Sequence, residues 1–225
     1  MALINRLGNM DSKAISQVVD DIVRTVAGQS LVNPRPGRMV PIGVSNRHGH
    51  LTKEHAELLF GPGARLTSMR ELKQPGQFAT NETLSVATVK SVLPRVRLIG
   101  PERKESQIEL SKSEAIQLGL DPPVRDSGAI ESSPGCVLLA PAGAVVLTRG
   151  VILAARHMHC HTSEADALGL KDKQIIRIRV HGPRGGVLEN VMVRVHPEFR
   201  LELHLDTDEA NALGVKNGDL AEILK

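Results

Sequence analysis

A mainly β fold with short helices is what this sequence predicts, and three observations predict it. Short runs of β-type residues follow one another from Met39 onward. Gly, Pro and Asn turns separate them, such as Gly61-Pro62-Gly63, 182–186 and Asn217-Gly218. Helical units with repeated cap and stop signals punctuate the runs. Many short strands at regular turn spacing suggest barrels or sandwiches.

The first segment differs from the rest. Within 11–28, the apolar residues Ile15, Val18, Val19, Ile22, Val23 and Val26 follow the spacing of one helix face. Asp11 or Ser12 can cap its start and Gly28 its end. The stretch 31–37 then reads as a linker, because Pro34 and Pro36 forbid helix continuation. The β-type runs are 40–45, 84–89, 95–99, 137–139, 144–147, 151–155, 175–180, 191–195 and 200–204.

Composition narrows the function classes. A chain of 225 residues is long enough for a buried core without staples. The net charge is only +3, and three Phe with no Trp or Tyr leave stacking platforms for nucleic acid nearly absent. No apolar run approaches the length of a membrane span, and residues 1–30 lack the apolar core of a cleavable signal. The two cysteines, Cys136 and Cys160, read as reduced thiols.

Four segments, 50–59, 109–118, 159–168 and 204–213, align without gaps. Each reads as a strand end, a cap, a short helix and a glycine stop. Ser111 with Glu114 and Asp206 with Glu209 form capping-box pairs. The first residues of the copies are His50, Glu109, His159 and His204, all metal-ligating types. Two copies extend backward to Arg47-His48-Gly49-His50 and Arg156-His157-Met158-His159. In an extended chain, residues i and i+2 face the same way, so each His-x-His pair can grip one ion or bridge two. Two such pairs at equivalent points of a repeat predict a metal site. Imidazole and carboxylate without a ligand-spaced cysteine pair favour zinc, with nickel, cobalt or manganese as alternatives. His55, His161, His181 and His196 fall at helix, cap or turn positions and are set aside as ligands.

Six stretches carry a family resemblance. They are 40–51 around Asn46-Arg47-His48-Gly49-His50, 74–79 (Gln74-Pro75-Gly76-Gln77-Phe78-Ala79), 100–109 with Arg103 and Glu109, 122–128, 155–159, and 203–211. Together they resemble the phosphate propanoyltransferase family, the phosphotransacylases of bacterial microcompartments, over residues 38–225. Gly49 departs from the pattern, since Val or another larger residue is common there, and His161 stands where Ser is expected.

The resemblance implies two small β-barrels capped by short helices, with a dinuclear zinc site in the cleft between them. It implies that His48, His50 and Glu109 hold one ion and that His157, His159 and His204 hold the other. Arg103 would fork onto phosphate oxygens, and Ser45, Arg97 and Asn211 would contact coenzyme A. The implied reaction converts acyl-CoA (propanoyl- or acetyl-CoA) and inorganic phosphate into acyl phosphate and CoA. The implied setting is a microcompartment lumen, with 11–28 as the address for shell or lumen enzymes and a homo-oligomeric assembly. Repeat equivalence of the strands at 37–46 and 150–156 suggests that they neighbour each other in one barrel. The expected division is 1–36 as helix and linker, 37–46 with 155–225 as one barrel, and 47–154 as the other. Two rivals remain: a metal-dependent thioester or phosphoester hydrolase, and a non-enzymatic metal-binding module.

Overall fold

The computed structural model describes residues 37–224; the stretch 11–28 lies outside the described residues. Six strands close into a barrel: β1 (Met39–Ser45), β11 (His157–Cys160), β12 (Ile175–Val180), β13 (Gly186–Val195), β14 (Glu202–Asp206) and β15 (Leu220–Leu224). Their order is β1-β14-β11-β13-β12-β15. The other nine are β2 (His48–His50), β3 (Ser68–Glu71), β4 (Phe78–Ala87), β5 (Val92–Gly100), β6 (Gln107–Leu110), β7 (Val124–Arg125), β8 (Cys136–Ala140), β9 (Gly143–Leu147) and β10 (Val151–Ala154). They form one sheet in the order β7-β10-β6-β2-β5-β4-β8-β9, with β3 on β4, curled into half a barrel. Among the described residues no helix is long and apolar enough to cross a membrane.

The two sheets are versions of one plan. Barrel order β1-β14-β11-β13-β12-β15 matches β10-β6-β2-β5-β4-β8 strand for strand, with the same alternation of parallel and antiparallel pairs. The match fails at closure. Strand β15 pairs with both β12 and β1, which seals the barrel. Its counterpart β8 instead turns back into the hairpin strand β9, so the sheet stays open.

The strands β1 and β10 do not neighbour each other, contrary to the expectation from the repeat. β1 belongs to the barrel and β10 to the open sheet, and each leads into a His-x-His strand of the other sheet. The connections are only Asn46-Arg47 and Ala155-Arg156. Two residues span roughly 10 Å when extended, enough to pass between adjacent layers. The repeat therefore describes equivalent positions in two sheets.

Alternating hydrophobicity explains the longer strands. In β12, Ile176, Ile178 and Val180 are buried while Ile175 is exposed, the period of two of a half-buried strand. β1 buries Val40 and Ile42 in the same manner. Two apolar cores result. One is built from residues between Leu51 and Leu153; the other from Val40, Ile42 and residues between Met158 and Ile223.

Four helices follow the site strands: α1 (Lys53–Phe60), α2 (Lys112–Leu118), α3 (Thr162–Leu168) and α4 (Thr207–Leu213). Capping boxes start α2 and α4 at Ser111 and Asp206. α3 has one as well, with His161 in the cap position: its Nδ1 accepts from the Ser163 N–H at 3.1 Å. Gly119, Gly169 and Gly214 end α2, α3 and α4 in the left-handed conformation. Gly49 is a glycine for lack of room. A Cβ there would lie 2.8 Å from Ile108 Cδ1 and 3.1 Å from Leu98 Cδ2, so these two side chains fill the space of the larger residue expected there.

Candidate active site

The first ligand group is set by strand register. β2 lies antiparallel to β6 with His48 opposite Glu109, and His50 follows two residues on along the same face. His48 Nε2 is 3.4 Å from Glu109 Oε2, and His50 Nε2 is 3.8 Å from Glu109 Oε1. Each imidazole is oriented from behind: His48 Nδ1 lies 2.9 Å from the Asn46 carbonyl and His50 Nδ1 3.2 Å from that of Ile99. A ring that donates Nδ1–H to a carbonyl presents the Nε2 lone pair, the tautomer a metal needs. All three residues are buried.

The second group repeats this geometry in the barrel. β11 lies antiparallel to β14 with His157 opposite His204. His157 Nδ1 is 2.8 Å from the Ala155 carbonyl. His159 Nδ1 and His204 Nε2 face each other at 3.3 Å, and the His157 and His204 rings stack with centroids 4.9 Å apart. In each group the three available donor atoms lie within 4.8 Å of one another.

The arginine before each His-x-His pair has a common task. Arg47 Nη1 donates to Glu114 Oε1 at 2.9 Å, and Arg156 Nε is 2.7 Å from Glu209 Oε1. Glu114 and Glu209 are the capping-box acids of the helices that follow Glu109 and His204. One ion pair thus ties the His-x-His strand to the strand carrying the third ligand, once in each sheet.

Both groups open into one cleft of about 630 Å³, which Arg103, Arg97, Ser45 and Arg194 also line. Arg103 donates from Nη1 to Ser127 Oγ at 3.0 Å. Gln107 Nε2 donates to Ser127 Oγ at 2.8 Å and to Glu109 Oε1 at 2.6 Å, while its Oε1 accepts from the Gly128 N–H at 2.7 Å. The 122–128 motif therefore links Arg103 to the first ligand group. Gln74 clasps the two halves together: its Nε2 donates to the Arg200 carbonyl at 3.0 Å and its Oε1 accepts from the Arg200 N–H at 3.1 Å.

Of the expected coenzyme A contacts, Ser45 and Arg97 line the cleft and Asn211 does not. Arg97 spends its Nη1 on the Thr80 and Asn81 carbonyls, at 2.8 and 3.1 Å. Ser45 Oγ sits 3.4 Å from His48 Nδ1. Asn211 is exposed on α4 and does not line the cleft; Asn217, holding the Val44 N–H at 2.6 Å, lines it instead. The other histidines have local partners. His55 bonds Ser106, His181 Nε2 lies 3.1 Å from Glu222 Oε2, and His196 accepts from the Glu198 N–H. Both cysteines are free and buried, and burial pushes their thiols up to about 12 for Cys136 and about 11 for Cys160.

Three residues of the site escaped the sequence reading: Gln107, Glu202 and Arg194. Gln107 and Glu202 stand two residues before Glu109 and His204, and Glu202 Oε2 is 3.1 Å from His204 Nε2. The i, i+2 rule that joined the histidines reaches both. The alternation in 191–195, where Val191 and Val193 face the core, turns Arg194 to the opposite face, but only pairing with β11 brings that face to the site.

The donor set suits a divalent metal. Burial, aided by the neighbouring His48 and Arg103, lowers His50 to about 3. Burial also leads in lowering His157 to about 4, with His204 adding, and His159 to about 2, with His157 and His204 adding. These rings are neutral at physiological pH, the form in which imidazole can bind a metal. Burial pushes Glu109 up, but His48, His50, Ser127 and Arg103 outweigh it and hold the carboxyl at about 2, an anion.

A family model described as phosphate propanoyltransferase matches residues 41–216. The chain belongs to that family. Among its curated relatives, a phosphate propanoyltransferase of Thermotoga maritima is 46% identical over 87% of this chain and 92% of its own length. One of Rhodopseudomonas palustris is 40% identical over 93% of this chain and 97% of its own length. The family is one of acyltransferases, which favours an enzyme over a passive metal-binding module.

Proposed function

We propose that the chain interconverts short-chain acyl-CoA and phosphate with acyl phosphate and CoA, at two zinc ions held by His48, His50 and Glu109 and by His157, His159 and His204. The single observation that carries this reading is that two three-donor groups and Arg103 share one cleft. Three protein donors per ion leave positions open to substrate, as in catalytic zinc sites. Bound zinc would neutralise phosphate charge and offer a soft partner for thiolate sulfur.

The chain's own residues do the rest. In the forward direction a phosphate oxygen attacks the thioester carbonyl, the acyl–oxygen bond forms, and the acyl–sulfur bond breaks. The phosphate proton ends on CoA sulfur, so atoms and charge balance. Arg103 holds and orients the phosphate, a bidentate task to which its planar fork is suited. Its guanidinium is fixed for this by Ser127 and, through Gln107, by Glu109. Glu109 stays an anion over the working pH range and so serves as a ligand, with no proton to give.

The test is CoA release from acetyl-, propanoyl- and butanoyl-CoA with and without phosphate. Release that requires phosphate and yields acyl phosphate supports the transferase; equal release without phosphate would make the chain a thioester hydrolase. We place the enzyme in a bacterial microcompartment lumen, with 11–28 as its address and assembly segment. Its apolar stripe is rich in β-branched residues, which are mediocre helix formers, so such a helix needs a partner surface. Deleting 1–33 is expected to leave specific activity near normal while abolishing encapsulation; a metal-loaded truncation with little activity would contradict this.

A further inference from the structure

Arg194 has no assigned task, yet it lines the cleft. It lies on β13 directly beside His159 in the parallel β11–β13 register. Residues in register on adjacent strands point to the same face, and Arg194 lines the cleft with both ligand groups. Among the described residues its guanidinium makes no hydrogen bond and no ion pair. Its half-buried charge is felt across the cleft by Arg103, and within the barrel by His157 and His159. The two arginines come from opposite sheets: Arg103 follows β5, and Arg194 is on β13. An anion of two or more oxygens between two partly desolvated guanidiniums offsets their mutual repulsion.

We propose that Arg194 and Arg103 form a two-sided clamp on the phosphoryl group, Arg194 from the barrel and Arg103 from the open sheet. The proposal rests on the phosphotransacylase reading and deepens it. Arg103 is already tethered to Ser127, so it sets the position of the anion. Arg194 is untethered and supplies the second fork once the anion is in place. Such a clamp makes the phosphate site depend on both sheets, since neither alone carries both arginines.

The experiment compares Arg194→Ala and Arg194→Lys with the wild-type chain, all metal-loaded. Losing one charged hydrogen-bonding partner should raise the KM for phosphate about ten- to a hundredfold. The KM for acyl-CoA and the metal content per chain should stay within about twofold of wild type, since Arg194 is assigned neither role. Lysine should recover part of the loss, because it restores the charge without the fork. A phosphate KM within twofold of wild type in Arg194→Ala overturns the clamp. So does a rise in the acyl-CoA KM alone, which would give Arg194 to CoA. Binding of inorganic phosphate, measured by calorimetry without acyl-CoA, separates this proposal from the reading beneath it. If the wild-type chain releases CoA without phosphate, the transferase reading fails, while equal phosphate affinity in wild type and Arg194→Ala overturns the clamp in either case.

Discussion

Replacing His204 with alanine is expected to lower the phosphate-dependent rate 100-fold or more while the fold persists. The second group would be left with His157 and His159, and two imidazoles hold a divalent ion far more weakly than three. Losing even an outer-shell partner of a ligand typically costs roughly 10- to 100-fold in affinity or activity, and a direct ligand should cost at least as much. The structural cost is small by comparison. His204 is half-buried, its backbone ladder to β1 and β11 does not depend on the ring, and the barrel core on either side is Leu203 and Leu205. Elemental analysis should fall from two ions per chain to about one, with the circular dichroism spectrum unchanged. Wild-type metal content and rate in this variant would remove His204 from the site.

Arg103→Ala should be as damaging by a different route. Donors aimed at developing charge are each worth on the order of 100- to 1,000-fold when removed. Here the metal content should not change, since the ligand groups keep all six donors. The Ser127 and Gln107 network would lose only its outermost member. Arg103→Lys should recover little of the rate, because an ammonium cannot match two phosphate oxygens at once. Rate loss with full metal occupancy separates Arg103 from the ligands; loss of metal in Arg103→Ala would instead make it a structural prop of Glu109.

The ligand groups were legible because their residues occupy fixed places in a repeat with strong local signals. Capping acids, glycine stops and i, i+2 spacing are short-range features, and they aligned His50, Glu109, His159 and His204 without knowledge of any sheet. Each copy read as a strand end, and the run 200–204 overlaps β14, but the other three strands that carry these residues were not among the β-type runs. β2, β6 and β11 are three or four residues long and almost wholly buried, so they show no alternation. Strand pairing was hidden for a related reason. Repeat equivalence suggested that β1 and β10 are neighbours, but the two lie in different sheets, and local patterns do not show which strands pair. Nor could they foresee that β8 would turn into β9 and leave the second sheet open. Asn211 and Arg194 show the same limit at the level of single residues. Family resemblance pointed to Asn211, which the structure leaves on the exposed face of α4, while Arg194 owes its place to pairing between β11 and β13.

Catalysis by two ions, one held by each sheet, predicts a definite metal titration. The chelated chain should show no phosphate-dependent CoA release. Zinc added back should restore it, with activity and bound metal rising together to two equivalents per chain. Full activity in a preparation shown by elemental analysis to hold no metal would contradict the account, as would saturation of activity at one equivalent.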